Sequence, residues 1–395
     1  MNDLTPVDPV AMTIFIAFFV LVTVVGFFAA RWKRGDLTQL HEWGLGGRQF
    51  GVLISWFLVG GDFYTAYTVI AVPALVYSVG AYGFFALPYT IIVYPFVFAV
   101  MPKLWKIAHA KDHITAADYV HGEYGGKWLP AAVALTGIVA TMPYIALQLV
   151  GMQVVIKGLG VTGELPLIIA FVILALYTYT SGLRAPAMIA FVKDIMIYIV
   201  VIAAGVHVKS ASDVVPTLFG TLFPSWFIGF AAAAIAISAL VPAAIMSIGA
   251  ANLFTRNLWR PLFSPDMTSA SEASTAKLVS LVVKFGALLF IVFLPTQYAI
   301  DLQLLGGVWI LQIFPAIVFS LYTRRLTTPG LFLGWLCGIV LGTGLAISQG
   351  LKPVYALHVG DATWPTYIGL IALVVNIVVT YAVSLVTRRS VVPAV

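Results

Sequence analysis

A chain of 395 residues of which 61% are hydrophobic and only 9% charged, with a mean hydropathy of +1.03, has too little polar surface to coat a water-soluble globule of that size. That excludes a soluble enzyme or binding domain and predicts an integral membrane protein. The formal net charge of +6 is no nucleic-acid signal, because the basic residues fall in short segments between apolar spans, where they report topology.

Crossing roughly 30 Å of hydrocarbon takes about 20 mostly apolar residues. Eleven stretches qualify, near 10–30, 51–76, 83–101, 129–158, 165–180, 187–205, 223–252, 278–297, 304–323, 329–349 and 366–387. The first is preceded by Asp3 and Asp8 and lacks a small-residue cleavage pattern, so it reads as a span and not as a secretion signal. Sixteen Lys and Arg residues, from Arg31 to Arg389, lie on one side of this arrangement. Only Lys157, Lys209 and Lys352 lie on the other, with Lys193 and Lys284 inside spans. The positive-inside rule places the N-terminus outside and the C-terminus in the cytoplasm.

The second span contains "SWFLVGGDFYTAYTV" (55–69), a glycine pair and a carboxylate inside an apolar run. Counted from Phe50 at 1.5 Å per residue, Asp62 is about 18 Å deep, close to the membrane midplane. A charge there costs several kcal/mol unless it meets a cation or a wet cavity. Gly60 and Gly61 allow the helix to open, freeing carbonyls for an ion; the plainer alternative is a protonated Asp62 hydrogen-bonded to a neighbouring helix. After the third span, "KLWKIAHAKDHITAADYVHGEYGGK" (103–127) reads as a cytoplasmic loop with an amphipathic turn. "TYTSGLRAP" (178–186) is expected to be a short cytoplasmic turn. The sixth span carries the second intramembrane acid, Asp194, beside Lys193, either a functional group or a locally paired charge near the inner mouth. The six histidines read as loop residues and Cys337 is alone in an apolar span. No metal cluster, nucleophile elbow or phosphate loop is visible, so the sequence offers no seat for an enzyme reaction.

Four stretches, "GGDFYTAYTVIAVPALVYSVG" (60–80), "PYIALQLVGMQ" (143–153), "SGLRAPAMIAFVKD" (181–194) and "AANLFTRNLWR" (250–260), together resemble the sodium:solute symporters. The whole chain looks most like the bacterial monocarboxylate permeases of that family, importers of pyruvate, lactate, acetate and propionate. The resemblance implies an all-α integral membrane protein with a leucine-transporter-like inverted-repeat bundle, solute and coupling ion lying at the midplane between broken helices. It makes the second span the first broken helix, with Asp62 and the carbonyls of Gly60 and Phe63 as cation ligands. Tyr64 and Thr65 follow at the break, and Tyr144 and Gln148, one turn apart on the fourth span, complete a solute site able to hydrogen-bond a carboxylate. It implies no cofactor beyond sodium as a coupling ion, a small monocarboxylate and membrane lipid as partners, no nucleic acid, and a bacterial inner-membrane location; it sets no oligomeric state.

Two departures accompany the resemblance. Many relatives carry adjacent hydroxyl residues before the "FTRNLW"-like motif to complete the sodium site; this chain has Val241 and Pro242 there, leaving Ser238 and Ser247 as nearby hydroxyls. A proton carried on Asp62 therefore rivals sodium. The family also has thirteen spans against about 11 here, the seventh and eighth being absent after the sixth. The implied organisation is a single transmembrane domain over 1–395: an N-terminal helix and cytoplasmic loop (1–48), a first inverted repeat (49–205), a shortened second repeat (206–325) and two C-terminal peripheral helices (326–395). Two readings stay open, a cation-coupled symporter of short monocarboxylates, and a non-transporting remnant, scaffold or sensor on the same fold.

Overall fold

The computed structural model describes residues 7–33, 35–65, 68–69, 72–80, 88–207, 223–293, 299–360 and 362–388. The chain is helical almost throughout, as a backbone in hydrocarbon must be, because a helix satisfies its own N–H and C=O groups. In chain order the helices are α1 (Pro9–Phe28), α2 (Leu40–Leu45), α3 (Val52–Phe63), α4 (Val72–Val79), α5 (Pro88–Ala110), α6 (Ala116–Tyr124), α7 (Trp128–Gly158), α8 (Leu165–Ser181), α9 (Arg184–His207) and α10 (Ser225–Leu253). They continue with α11 (Ser269–Phe293), α12 (Ala299–Ile310), α13 (Thr328–Ser348) and α14 (Ile368–Thr387).

Each of the eleven expected spans coincides with helix. Among the described residues, seven helical segments are long and apolar enough to cross a membrane, and Val52–Phe63 and Leu165–Ser181 are shorter apolar helices. The two remaining spans fall on α5 and α11, which continue into segments carrying Lys103, Lys106 and Lys277. The start of the third span (83–87), the end of the eighth (294–297) and most of the junction after the sixth (208–222) lie outside the described residues. One expectation is corrected. Residues 103–127 are not a loop: α5 runs to Ala110, and α6 is capped by Thr115, whose hydroxyl accepts from the Asp118 N–H while the Asp118 carboxylate accepts from the Thr115 N–H, a capping box. The connection before the last span is a small antiparallel hairpin, Val354–Val359 with Ala362–Tyr367, whose strands show no 3.6-residue apolar period to announce them.

The chain divides into two compact units interleaved along the sequence, one formed by Met1–Tyr94, Ile145–Ala251 and Thr268–Thr296, the other by Pro95–Tyr144, Asn252–Met267 and Gln297–Val395. In the first, α9 packs against α1, α3 and α8. The 181–186 turn is tied down by side chains and backbone together. Leu183 N–H donates to the Trp43 carbonyl (2.9 Å), the Trp43 indole donates to the Tyr179 carbonyl (3.2 Å), and the buried Arg184 guanidinium pairs with Glu42. Gly182 sits at φ 59°, and a Cβ there would strike the Trp43 carbonyl, so only glycine fits this turn. The window over Ser225–Phe263 is 83% buried, against 17% for Pro9–Arg31. Its run Ala231–Ala234 supplies the small side chains that let helices approach closely in lipid.

In the second unit Asp118 also latches the "FTRNLW" segment. Its two carboxylate oxygens accept from Arg256 Nε (2.7 Å) and Asn257 Nδ2 (2.7 Å). At the C-terminal end, α13 presents Gly330, Gly334, Gly338 and Gly342 at four-residue spacing, and a Cβ on the first two would collide with Ser384 and Thr380 of α14, on the third with Gln312 and on the fourth with Val308. The close approach buries Asn376, whose amide donates to the Gln312 carbonyl (2.8 Å) and whose oxygen accepts from Thr380 (3.1 Å).

Replacing Gly334 with Val is expected to lower the unfolding midpoint of the purified protein by several degrees, since the pair must separate. Gly344→Ala on the same helix, where a Cβ meets nothing within 4 Å, is the control. An unchanged midpoint for Gly334→Val counts against close packing of α13 on α14.

Candidate functional site

The site begins where α3 stops being a helix. The last regular bond of α3 runs from Tyr64 N–H to the Gly60 carbonyl (2.9 Å). The next, from Thr65 N–H to Gly61, does not form: Thr65 N–H donates to the Phe63 carbonyl instead (3.1 Å). Tyr64, at φ −87° and ψ 78°, is outside the helical basin and turns its own carbonyl out of the ladder. Two carbonyls, those of Gly61 and Tyr64, are thereby released. In a buried helix end such groups need a partner.

The partner is a lysine on another helix. Lys193, on α9, donates from Nζ to the Gly61 carbonyl (2.8 Å) and the Tyr64 carbonyl (2.8 Å). The same nitrogen is 2.9 Å from Asp194 Oδ1, and both side chains of this pair are fully buried. Two of the ammonium's three donors are thus hydrogen-bonded to carbonyls, and its charge is paired with the carboxylate. The charge also acts on Asp62, the next residue of α3 after Gly61. The glycines are needed because α9 and α10 come so close: a Cβ on Gly60 would lie 3.0 Å from Asp194 Oδ2, and one on Gly61 would lie 3.2 Å from Ala190 Cβ and 3.3 Å from Val241 Cγ1.

Beyond the break lies a ring of aromatic hydroxyls. The Tyr94 hydroxyl donates to that of Tyr64 (3.1 Å), the Tyr64 ring stands edge-on to Tyr198 of α9 with centroids 5.8 Å apart, and Phe63 packs against Tyr94 at 5.6 Å. Thr65 is fully buried at the same turn. The Phe63 carbonyl accepts from Thr65 N–H and from the Thr68 hydroxyl (2.5 Å), so its local bonding and that of the Gly60 carbonyl are made within the broken helix.

On α7, Gln148 is fully buried with neither amide group hydrogen-bonded, among the described residues. Tyr144, one turn earlier on the same helix, belongs to the other compact unit. On α10 the buried Ser238 hydroxyl donates back to the Ala234 carbonyl (2.6 Å), the ordinary return bond of a helical serine. Its neighbour toward the break is Val241. A second buried lysine, Lys284 of α11, donates to Ser280 (2.6 Å), which lies 3.5 Å from Ser247.

The structure thus groups Gly60, Asp62, Tyr64 and Asp194 around one point. The carbonyls it turns outward are those of Gly61 and Tyr64, while those of Gly60 and Phe63 accept from Tyr64 and Thr65 N–H within the broken helix, and the Ser238 hydroxyl bonds back to Ala234 of its own helix. Sequence reasoning missed Lys193, Tyr94 and Tyr198 as members. The available signal for Lys193 was its place near the middle of an apolar span, where a lysine needs acceptors of its own.

A sequence profile of the sodium:solute symporter family matches residues 43–211 and 187–338. The chain is 52% identical over 478 aligned residues to a protein of Rhizobium johnstonii named a monocarboxylate transport permease protein, the alignment covering 96% of this chain and 97% of that one. It is 29% identical over 454 residues, 90% of each chain, to an uncharacterised symporter of Bacillus subtilis, YodF. Among solved structures it is similar to a Na+-coupled sialic acid symporter in a substrate-bound outward-open state, with a TM-score of 0.72 over 96% of this chain and 98% of that one; at 11% identity this likeness concerns the fold.

Replacing Gln148 with Leu, of similar volume, is expected to leave the unfolding midpoint unchanged or raise it, because the native amide is buried without partners and its removal costs no bond. A drop of several degrees would mean that the amide is structural.

Proposed function

This chain belongs to the sodium:solute symporter family, and from that premise we propose that it is built for cation-coupled import of short monocarboxylates such as lactate, pyruvate, acetate or propionate. It is a multi-pass membrane protein and its class of activity is solute symport, not enzymatic conversion. The observation that carries the finer reading is the broken helix: α3 opens beside Asp62 with a cation on its freed carbonyls, and the adjoining polar groups are hydroxyls and one vacant amide. A monocarboxylate needs a few donors and a small apolar pocket. Tyr64, Thr65, Tyr144 and Gln148 would supply those donors, and the Gln148 amide has no hydrogen-bond partner among the described residues. Asp62 and Asp194 stand with Lys193, which leaves no spare acid for a substrate ammonium and favours a carboxylate over an amino acid. The name of the Rhizobium protein supports the same class.

Within this reading Asp62 carries the coupling cation, with Gly60 and Phe63 as its expected neighbours in the ligand set and Asp194 as a further functional group. Ser238 offers a hydroxyl oxygen from α10. The repeats are 49–205 and 206–325, with 326–395 peripheral, in a bacterial inner membrane with the N-terminus outside. The alignment to the Rhizobium protein spans 478 residues although this chain has 395, so the relative contains stretches that this chain lacks. The two family matches meet at 187–211. Both facts support an absent segment after the sixth span. Alternating access needs both repeats, and the second repeat here is short. That keeps a non-transporting form of the fold as the second reading for the chain as it stands.

One experiment addresses both. Labelled lactate uptake is measured for the chain and for a form with the Rhizobium segment restored after about Ala204. The restored form is expected to concentrate lactate, with competition by propionate and not by proline. Asp62→Asn in that form is expected to abolish concentration while leaving membrane insertion intact. Uncoupler-sensitive uptake by the unaltered chain above an empty-vector control would refute the need for the segment. Full accumulation by Asp62→Asn would refute the role of Asp62.

A further inference from the structure

The broken helix poses a question of fit. A sodium ion bound there would need the freed carbonyls and oxygen ligands from the helix opposite. The residues present do not fit a bare ion: the Gly61 and Tyr64 carbonyls accept from Lys193 at 2.8 Å, and the helix opposite offers the Val241 methyl followed by Pro242, which has no side-chain oxygen and no N–H.

We propose that the ammonium of Lys193 is the resident cation of the α3 break, a tethered replacement for a sodium ion at that position. Three observations carry this. The first is coordination: the nitrogen donates hydrogen bonds to the Gly61 and Tyr64 carbonyls, both at 2.8 Å, and forms an ion pair with Asp194 Oδ1 at 2.9 Å, so it is surrounded by oxygens of partial or full negative charge. The second is access: the Lys193 and Asp194 side chains are at 0% relative exposure, and Ala190 and Val241 close on Gly61 from α9 and α10. The third is charge. Asp62 and Asp194 face the ammonium, while Tyr64 and Tyr198 bring neutral hydroxyls and α10 brings Val241. A sodium ion added to this set would meet a fixed positive charge in a medium of low dielectric.

The pairing also explains the composition of the motif. Lys193 is 132 residues from Gly61 in sequence, and the amine reaches the break because Gly60 and Gly61 leave space for α9. Truncating it would strand two carbonyls and a carboxylate, the ligand types that sodium takes. The inference rests on the symporter reading and narrows it, since a coupling ion would then not be a sodium ion held at this break, but its test requires no solute and so fails or succeeds separately.

The test is fluorescence-monitored unfolding of the purified chain, and of the form with the restored segment, in sodium chloride titrated against choline chloride at fixed ionic strength. The wild type is expected to show no saturable sodium-specific shift. Lys193→Ala, with the oxygens uncovered, is expected to gain one of several degrees, as a ligand well above its Kd produces. A saturable sodium-specific shift in the wild type overturns the proposal, and this arm decides alone if the variant does not fold. A folded Lys193→Ala protein that stays indifferent to sodium overturns it equally.

Discussion

The structure around the midplane depends on one constraint: a helix opened in a medium without water must have its released carbonyls satisfied from within the protein. In this chain the bonds from Lys193 to the Gly61 and Tyr64 carbonyls do so. Everything close by is compatible with that contact. Gly60 and Gly61 have no side chain because α9 passes over them, Ala190 is small because it faces Gly61, and Asp194 follows Lys193 directly, so that a buried ammonium is paired as well as hydrogen-bonded. An isolated ammonium in this place would carry a desolvation penalty of several kcal/mol; with three charged or dipolar acceptors the penalty is offset and the open conformation of α3 is held in one geometry.

The same rule governs the less exotic parts of the molecule. Where α8 turns into α9, Arg184 is buried and its guanidinium is taken by Glu42. Where the long α10 helix ends, Asp118 caps α6 and receives Arg256 and Asn257. Where α13 meets α14, the four-spaced glycines bring backbones close, Thr327 at the start of α13 donates to the Ser384 hydroxyl of α14, and Asn376 of α14 donates to the Gln312 carbonyl. In lipid the apolar surfaces of two helices gain little by leaving the hydrocarbon, so small residues and enclosed polar bonds supply the specificity that a hydrophobic core supplies in water. Three of the four recognised motifs in this chain, "GGDFYT", "SGLRAP" and "FTRNLW", are places where such bonds are made.

This explains which features were legible in the sequence. Spans are read from continuous hydropathy, a local property, and each of the eleven falls on a helix. The α3 break was legible because two glycines and an acid are adjacent. Its chemistry was not, since which carbonyls are released depends on the dihedrals at Tyr64, and what binds them depends on a residue 132 positions away. Lys193 next to Asp194 has the look of a self-contained pair, and adjacency hid the fact that the amine divides its donors between a sequence neighbour and a distant helix. Residues 103–127 looked like loop because charge density masks helix periodicity, whereas the Thr115–Asp118 capping box was a local signal available for α6. The 354–367 hairpin left no apolar period to read. Gln148 was legible as polar in a span; that its amide would be left without a bond was not.

The contrast between Gln148 and Lys193 separates two kinds of buried polar group. Lys193 is hydrogen-bonded to two carbonyls and paired with a carboxylate, and a group so engaged is part of the scaffold. Gln148 has two donors and an acceptor with no described partner, and a folded protein retains such a group at a cost of about 1–3 kcal/mol only where something other than folding requires it. In a symporter that requirement is the solute, which arrives with its own acceptors and leaves again; a site already satisfied by protein groups would gain nothing from binding. On the proposed reading the ammonium at the break and the amide on α7, without a partner among the described residues, are complementary: one would hold the geometry of the open helix, and the other would keep hydrogen-bonding capacity in reserve for a carboxylate.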